Sequence, residues 1–435
     1  MKVQKLNYPQ FNETLYRTTL FNGLTVNLLP REGFHKTYSV MTTNYGSVDT
    51  QFVNSQGKQV DVLAGTAHFL EHKLFEKEDH DAFDVFGEYG ADVNAFTSFT
   101  KTSFLFSTTQ NLSKCLETLL DFVQEPYFST QTVEKEKGII GEEISMYDDD
   151  ADWQLFFGIL KNLYPKDPLS VDIAGTKDTI AQIDPQVLYD CYNEYYQPAN
   201  MDLFVVGGFD LTEVLDVIEA DQAKKDFNAF QNTNELPLFL GKSGSDIRTF
   251  AEKTLNVTRP KSMIGIKGMQ ETPQKRAGLK YKLELELGLY LLFGESSLLF
   301  QELFHAGIVD DSFNYELEME RGFHFAVISG DTFRFEEMEE RIKKTIAHAP
   351  KILANSSTEL ELAKKEFLGQ YIQAQNSLES IANGYDGKLF DHATLFDYAE
   401  LVPQVSLADV CAAIERLFRP QVISTFRVMP ATEEK

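Results

Sequence analysis

The chain has 435 residues, 43% of them hydrophobic, a length and apolar content suited to two folded cores rather than a disordered segment. Its 66 acidic residues outnumber 40 basic ones for a formal charge of −26, and no run of Lys or Arg could follow a phosphate backbone, so nucleic acid is not an expected partner. Cys115, Cys191 and Cys411 are far apart and odd in number, which argues for reduced thiols and against a disulfide framework or a cysteine metal site.

The first residues, MKVQKLNYPQFNETLY, lack the apolar core of a secretory signal. No stretch approaches the roughly 18 apolar residues of a membrane span, so a soluble, cytoplasmic protein is expected. Strand-like runs such as LTVNLLP (24–30), TSFLFST (102–108) and DLFVVGGF (202–209) alternate with longer helix-like segments, the pattern of an α/β or α+β chain.

The stretch GTAHFLEHKLFEKEDH (65–80) places His68 and His72 four residues apart. On a helix these positions point the same way, so both imidazoles can address one metal ion, with Glu71 beside them. Zinc sites that catalyse normally have three protein ligands and one open position, so a third ligand must come from elsewhere. His80, in the charged setting EKEDHD, reads as a solvated loop residue.

The third ligand is expected in VEKEKGIIGEEISMY (133–147). With Ile140 at zero on a helical wheel, Val133, Ile144 and Tyr147 fall within roughly 40° and define the buried stripe. Glu136 and Glu143 fall at about −40° and −60°, on the inward side, whereas Glu134 and Glu142 face water. Two inward carboxylates are costly without a cation, so Glu143 is the expected third ligand and Glu136 the carboxylate supporting the site.

An internal repeat appears at an offset of 222 residues. IDPQVLYDCYNEYYQP from Ile183 lies over VSLADVCAAIERLFRP from Val405, pairing Asp184 with Ser406 as helix caps, Tyr196 with Phe418, and Pro198 with Pro420. Two similar halves are therefore expected: residues 1–226 with the metal site, a linker at 227–249 rich in Asn, Gly, Ser and Pro, and residues 250–435 with no metal site of their own. LELELGLY (283–290) alternates as a strand would, yet its apolar run continues without a turn, so strand and helix both remain open there.

His-x-x-Glu-His at 68–72 resembles the signature of the inverzincins, the pitrilysin-type zinc peptidases that include insulin-degrading enzyme and the mitochondrial processing peptidase. GADVNAFTSFTKTSF (90–104) is similar to that family's G-x-x-x-N-A-x-T segment, and EKEKGIIGEEI to its distal glutamate helix. PLSVDIAGTKDTI (168–180) and YYQPANMDLFVVGGFD (195–210) match as well.

The resemblance implies a clam-like α+β fold. Its two similar halves, each a mostly antiparallel sheet with helices on one face, would enclose a chamber. It implies one Zn2+ per chain, bound by His68, His72 and Glu143, with Glu71 as general base and Glu136 supporting the site. Substrate would add as an edge strand near Asn94, Ala95 and Phe96.

Many members carry an arginine–tyrosine pair in the second half. Here Ala306, Gly307, Asp310 and Asp311 occupy that neighbourhood, and neither Tyr315 nor Arg321 fits the spacing. The resemblance thus implies the zinc-bearing chain of a homodimer or heterodimer, the pair coming from a related chain. The activity expected is endopeptidase cleavage of peptides or unfolded segments; the alternative is a non-catalytic scaffold or assembly subunit.

Overall fold

A computed structural model of the chain describes residues 2–54, 57–225, 227, 247–385, 387 and 389–431. The architecture is α+β with two sheet-containing halves. In the first lie β1 (Gln4–Tyr8), β2 (Glu13–Thr19), β3 (Thr25–Pro30), β4 (Thr37–Thr43), the separate hairpin β5 (Gln51–Val53) and β6 (Gln59–Asp61), then β7 (Asp92–Thr97), β8 (Thr102–Thr108) and β9 (Met201–Gly207). They form a seven-stranded sheet in the order β1-β2-β3-β9-β4-β8-β7, antiparallel except where β3 runs parallel to β9.

The second half contains β10 (Phe250–Leu255), β11 (Lys261–Lys267), β12 (Asn314–Glu320), β13 (Phe323–Asp331) and β14 (Ile423–Pro430), in the order β10-β14-β11-β13-β12. Its one parallel pair is β10 with β14. Five strands of the first sheet, β3-β9-β4-β8-β7, therefore recur in the second with the same order and the same parallel pair.

The helices that lead into β9 and β14 keep the 222-residue offset to the residue: Pro185–Tyr195 and Leu407–Leu417. Asp184 caps the first by accepting from the Val187 amide, and Ser406 caps the second by accepting from the Asp409 amide. Each is followed by a short turn opening on proline, Pro198 or Pro420, before β9 or β14.

The ambiguous LELELGLY lies within the helix Lys275–Phe293. Leu283, Leu285, Leu287 and Leu289 are all fully buried, because this helix is covered on two faces and so loses the one-sided periodicity that identifies a surface helix. Most of the expected linker, residues 228–246, lies outside the described residues.

The compact units cut across a simple division into halves. One comprises the described residues of Met1–Ile144, Asp172–Pro237 and Ala374–Tyr385; the other those of Ser145–Val171, Leu238–Gln373 and Asp386–Lys435. The helix Ala151–Leu163 covers β10, β11 and β14, and the helix Leu378–Asn383 covers β4 and β9. Both segments bury apolar faces on the sheet of the other sequence half, which no local pattern signals. Among the described residues no helix is long and apolar enough to cross a membrane.

Candidate metal centre

Three helices of the first unit, α1 (Thr66–Phe75), α2 (Ala82–Tyr89) and α3 (Leu112–Gln124), frame the site together with the part of α4 (Thr130–Asp149) that belongs to that unit, up to Ile144. The start of α1 is set by two glycines. Gly65 has φ +90°, and a Cβ on it would meet the Ala174 carbonyl oxygen at 2.5 Å; Gly175, φ +78°, would likewise meet Ala64 O at 2.5 Å. Only residues without Cβ allow this back-to-back passage, which fixes where the motif helix begins. Nearly every residue of α1 is buried.

At its far end Phe75 stacks on Phe83 of α2 at 4.2 Å and on Phe122 of α3 at 4.9 Å. Burying Phe69, Leu70, Leu74 and Phe75 contributes about 1.5–3 kcal/mol each before chain entropy is counted, enough to hold polar groups of α1 in an otherwise apolar setting.

On α4 the buried residues are Val133, Glu136, Ile140 and Ile144, with Glu143 partly buried and Glu134 and Glu142 exposed. The helix thereby brings two carboxylates to α1. Glu143 Oε1 is 3.6 Å from His68 Nε2, and Glu143 Oε2 is 3.6 Å from His72 Nε2. Glu136 Oε1 is 3.0 Å from His72 Nδ1. His68, His72 and Glu143 offer ligand atoms that all lie within 4.8 Å of one another, the single such group found among the described residues.

These separations suit a small divalent cation. Zinc bonds of about 2.0–2.1 Å in a tetrahedron set ligand atoms roughly 3.3–3.5 Å apart, close to the two 3.6 Å gaps. The donor set, two imidazoles and a carboxylate, is that of catalytic zinc sites. Glu136 against Nδ1 leaves His72 Nε2 as the ligand atom, as an outer carboxylate does in such sites.

The electrostatics agree. Burial, followed by the neighbouring His72 ring, pushes the His68 imidazole down to about 3 against the opposing charge of Glu136, so it is neutral and able to ligate. For His72, burial pulls downward but the Glu136 hydrogen bond and the charges of Glu71, Glu136 and Glu143 outweigh it, raising its pKa. Burial raises Glu71 above the usual carboxylate range, opposed by its Thr97 hydrogen bond and by His72. Three carboxylates thus surround two histidines in a largely buried cluster, an excess of negative charge that a cation would relieve. His68 Nδ1 is buried without a hydrogen-bond partner.

Glu71 does not belong to the three-ligand group. Its Oε2 accepts a 2.5 Å hydrogen bond from the Thr97 hydroxyl, at the end of β7. β7 is the edge of the seven-stranded sheet, with Asn94 and Phe96 exposed and Ala95 between them. The Ala95 amide donates to Asn94 Oδ1 at 2.8 Å, so it points to the open side of the sheet, where an added strand would pair. A cleft of about 620 Å³ opens alongside, lined by Glu71, His72, Phe75, Asn94, Ala95, Glu136 and Ile139 among others. His80 also lines it, half exposed and paired with Asp79.

The structure brings the expected residues together in one unit. Thr97 was missed, although it stands in the quoted G-x-x-x-N-A-x-T segment; only the packing of β7 on α1 reveals what its hydroxyl meets. Among the described residues the second half offers no group of three metal-ligating side chains of its own. Of the residues replacing the arginine–tyrosine pair, Asp310 is engaged by Arg259 at 2.5 Å. Tyr315 lies on β12 packed against the apolar core, and Arg321 is in the turn before β13.

Residues 59–177 match the family model described as Insulinase (Peptidase family M16), and residues 182–367 match the model of the Peptidase M16 inactive domain. The zinc protease YmfH of Bacillus subtilis (strain 168) is 41% identical over 429 residues, covering 98% of this chain and 99% of the relative. YmxG, another zinc protease of that strain, is 25% identical over 82% of this chain and 86% of its own length. An M16-like peptidase from Alicyclobacillus acidocaldarius superposes with a TM-score of 0.89 at 30% identity, covering 96% of this chain and 99% of that one. A peptidase M16 inactive domain from Pseudomonas fluorescens, at 15% identity and TM-score 0.74, shares the fold.

Proposed function

The chain belongs to the insulinase family of peptidases, M16, and we propose that it is a zinc-dependent endopeptidase acting on peptides or unfolded segments. The observation that carries this reading is the convergence of His68, His72 and Glu143 within 4.8 Å, next to a buried carboxylate, Glu71, that is not one of the ligands. His68, His72 and Glu143 would hold one Zn2+, with Glu136 orienting His72. When bound, zinc supplies Lewis acidity: it lowers the pKa of a water and polarises the scissile carbonyl.

The remaining chemistry belongs to the chain. Glu71 takes the proton of the attacking water and passes it to the leaving amine, a task suited to a carboxyl whose pKa burial has raised. The substrate pairs by its backbone with the edge of β7 at Asn94, Ala95 and Phe96, displacing the Asn94 side chain from the Ala95 amide. Backbone pairing accepts many sequences and requires an extended segment, hence the preference for peptides and unfolded regions.

Three finer points belong to the same proposal and rest on the family resemblance and the composition: an enclosed chamber, a second related chain supplying an arginine–tyrosine pair in a homodimer or heterodimer, and a cytoplasmic location. The test is cleavage of an unstructured peptide mixture by the purified chain, with and without zinc and with and without a co-expressed related chain. Zinc-dependent cuts within the peptides are expected. A zinc-loaded chain that cuts nothing in either setting would favour a scaffold subunit.

A further inference from the structure

Glu71 precedes a metal ligand by one residue, and a carboxylate is itself a good zinc ligand. A glutamate side chain has enough torsional freedom to swing toward a neighbouring cation unless something restrains it. If Glu71 became a fourth ligand, the open position would close and the base would be lost together.

We propose that Thr97 is the positioning residue that prevents this, its hydroxyl anchoring Glu71 Oε2 at β7 and keeping the carboxylate outside the ligand set. The inference rests on the zinc-peptidase reading and adds to it a device that separates base from ligand. Thr97 is itself well held. It is the last β7 residue paired with β8, opposite Thr102. Thr102, fully buried, donates its one hydroxyl proton to the Tyr45 carbonyl at 2.9 Å, while its oxygen lies 3.5 Å from that of Thr97.

The Thr97 proton is therefore directed to Glu71, at 2.5 Å. Below the pair, Ser98 closes the hairpin, its amide donating to Lys101 O at 2.8 Å and its hydroxyl oxygen accepting from the Lys101 amide at 3.2 Å. The branched Cβ of Thr97 further limits its rotamers. Because β7 also carries Asn94, Ala95 and Phe96, the strand that docks substrate is the strand that holds the base.

Thr97→Val keeps the shape and removes the donor; Thr97→Ser keeps the donor. Both are compared with wild type for zinc content, for the visible absorption of the cobalt(II)-substituted protein, for melting temperature, and for kcat and KM on a cleaved peptide. Thr97→Val should retain metal, lose roughly ten- to a hundredfold in kcat with KM within about twofold, and show a cobalt spectrum altered by an added carboxylate. Thr97→Ser should keep wild-type kcat and spectrum, and Glu71→Ala in the Thr97→Val background should abolish the spectral change.

An unchanged kcat or an unchanged cobalt spectrum in Thr97→Val overturns the inference. Should Thr97→Val fail to fold, Thr97→Ala takes its place under the same criteria. A wild-type chain that binds cobalt but cleaves no peptide counts against the proposed function instead, and the spectrum alone then decides for Thr97.

Discussion

His72 Nδ1 lies 3.0 Å from Glu136 Oε1, joining α1 to α4 between residues 64 positions apart in the chain. The contact does two things: it occupies Nδ1 and leaves His72 Nε2 facing Glu143, and it offsets the burial of Glu136. Removing an outer carboxylate of this kind costs about 10–100-fold in metal affinity. Glu136→Gln should therefore fold and still bind zinc, with affinity reduced by that factor in chelator competition. Unaltered affinity would show that Glu136 plays no part in holding His72.

Glu71 has the opposite signature, because it lies outside the ligand group. Glu71→Gln should bind zinc as wild type does and lose about 10²–10⁴-fold in peptide hydrolysis, the range a positioned general base supplies. Zinc content and turnover measured on one preparation check both halves. Full turnover in the variant would remove Glu71 from the mechanism.

The passage of Gly65 against Ala174 predicts a backbone effect. A methyl group at Gly65 would meet the Ala174 carbonyl oxygen at 2.5 Å in a left-handed conformation, φ +90°. Gly65→Ala should destabilise the fold by more than about 1 kcal/mol and lower zinc occupancy by shifting α1. Denaturant unfolding with zinc analysis reads both, and a variant as stable and as well loaded as wild type would contradict the packing described.

A pH effect follows from β12. Burial, then the charges of Glu320 and Glu316, push the Glu318 carboxyl up to about 8, with Lys282 opposing. In the unfolded chain a glutamate titrates near its ordinary value of about 4.3, so between these values the folded state binds more protons than the unfolded one. Stability from this group is present below the unfolded pKa and is lost as pH rises toward 8. Glu318→Gln should flatten the decline in melting temperature between pH 5 and pH 9 and leave the variant more stable than wild type at pH 9. Parallel profiles for the two proteins would argue against the shift.

Much of this was legible in the sequence because it is local. The caps Asp184 and Ser406 and the prolines 198 and 420 announced paired helix ends, and the wheel position of Glu136 matched its burial. His68 and His72 needed only helical spacing to be placed side by side on one helix face, where their rings lie 4.5 Å apart. What escaped was tertiary. LELELGLY could be assigned only once its helix was seen to be covered on two faces. Gly65 and Gly175 are 110 positions apart, and nothing in either neighbourhood announces their contact. Thr97 stood in plain view within a motif, yet its hydrogen bond to Glu71 depends on how an edge strand packs on a helix. The covering of one half's sheet by the helix Ala151–Leu163 from the other is likewise set by apolar complementarity between distant segments.

The most direct test of the three-ligand centre is zinc content per chain for wild type and Glu143→Ala, purified without chelators and again after reconstitution. About one zinc in wild type and a small fraction of that in Glu143→Ala is the expected result. Equal zinc in both proteins, or none taken up by wild type on reconstitution, would contradict the assignment of His68, His72 and Glu143 as a metal centre.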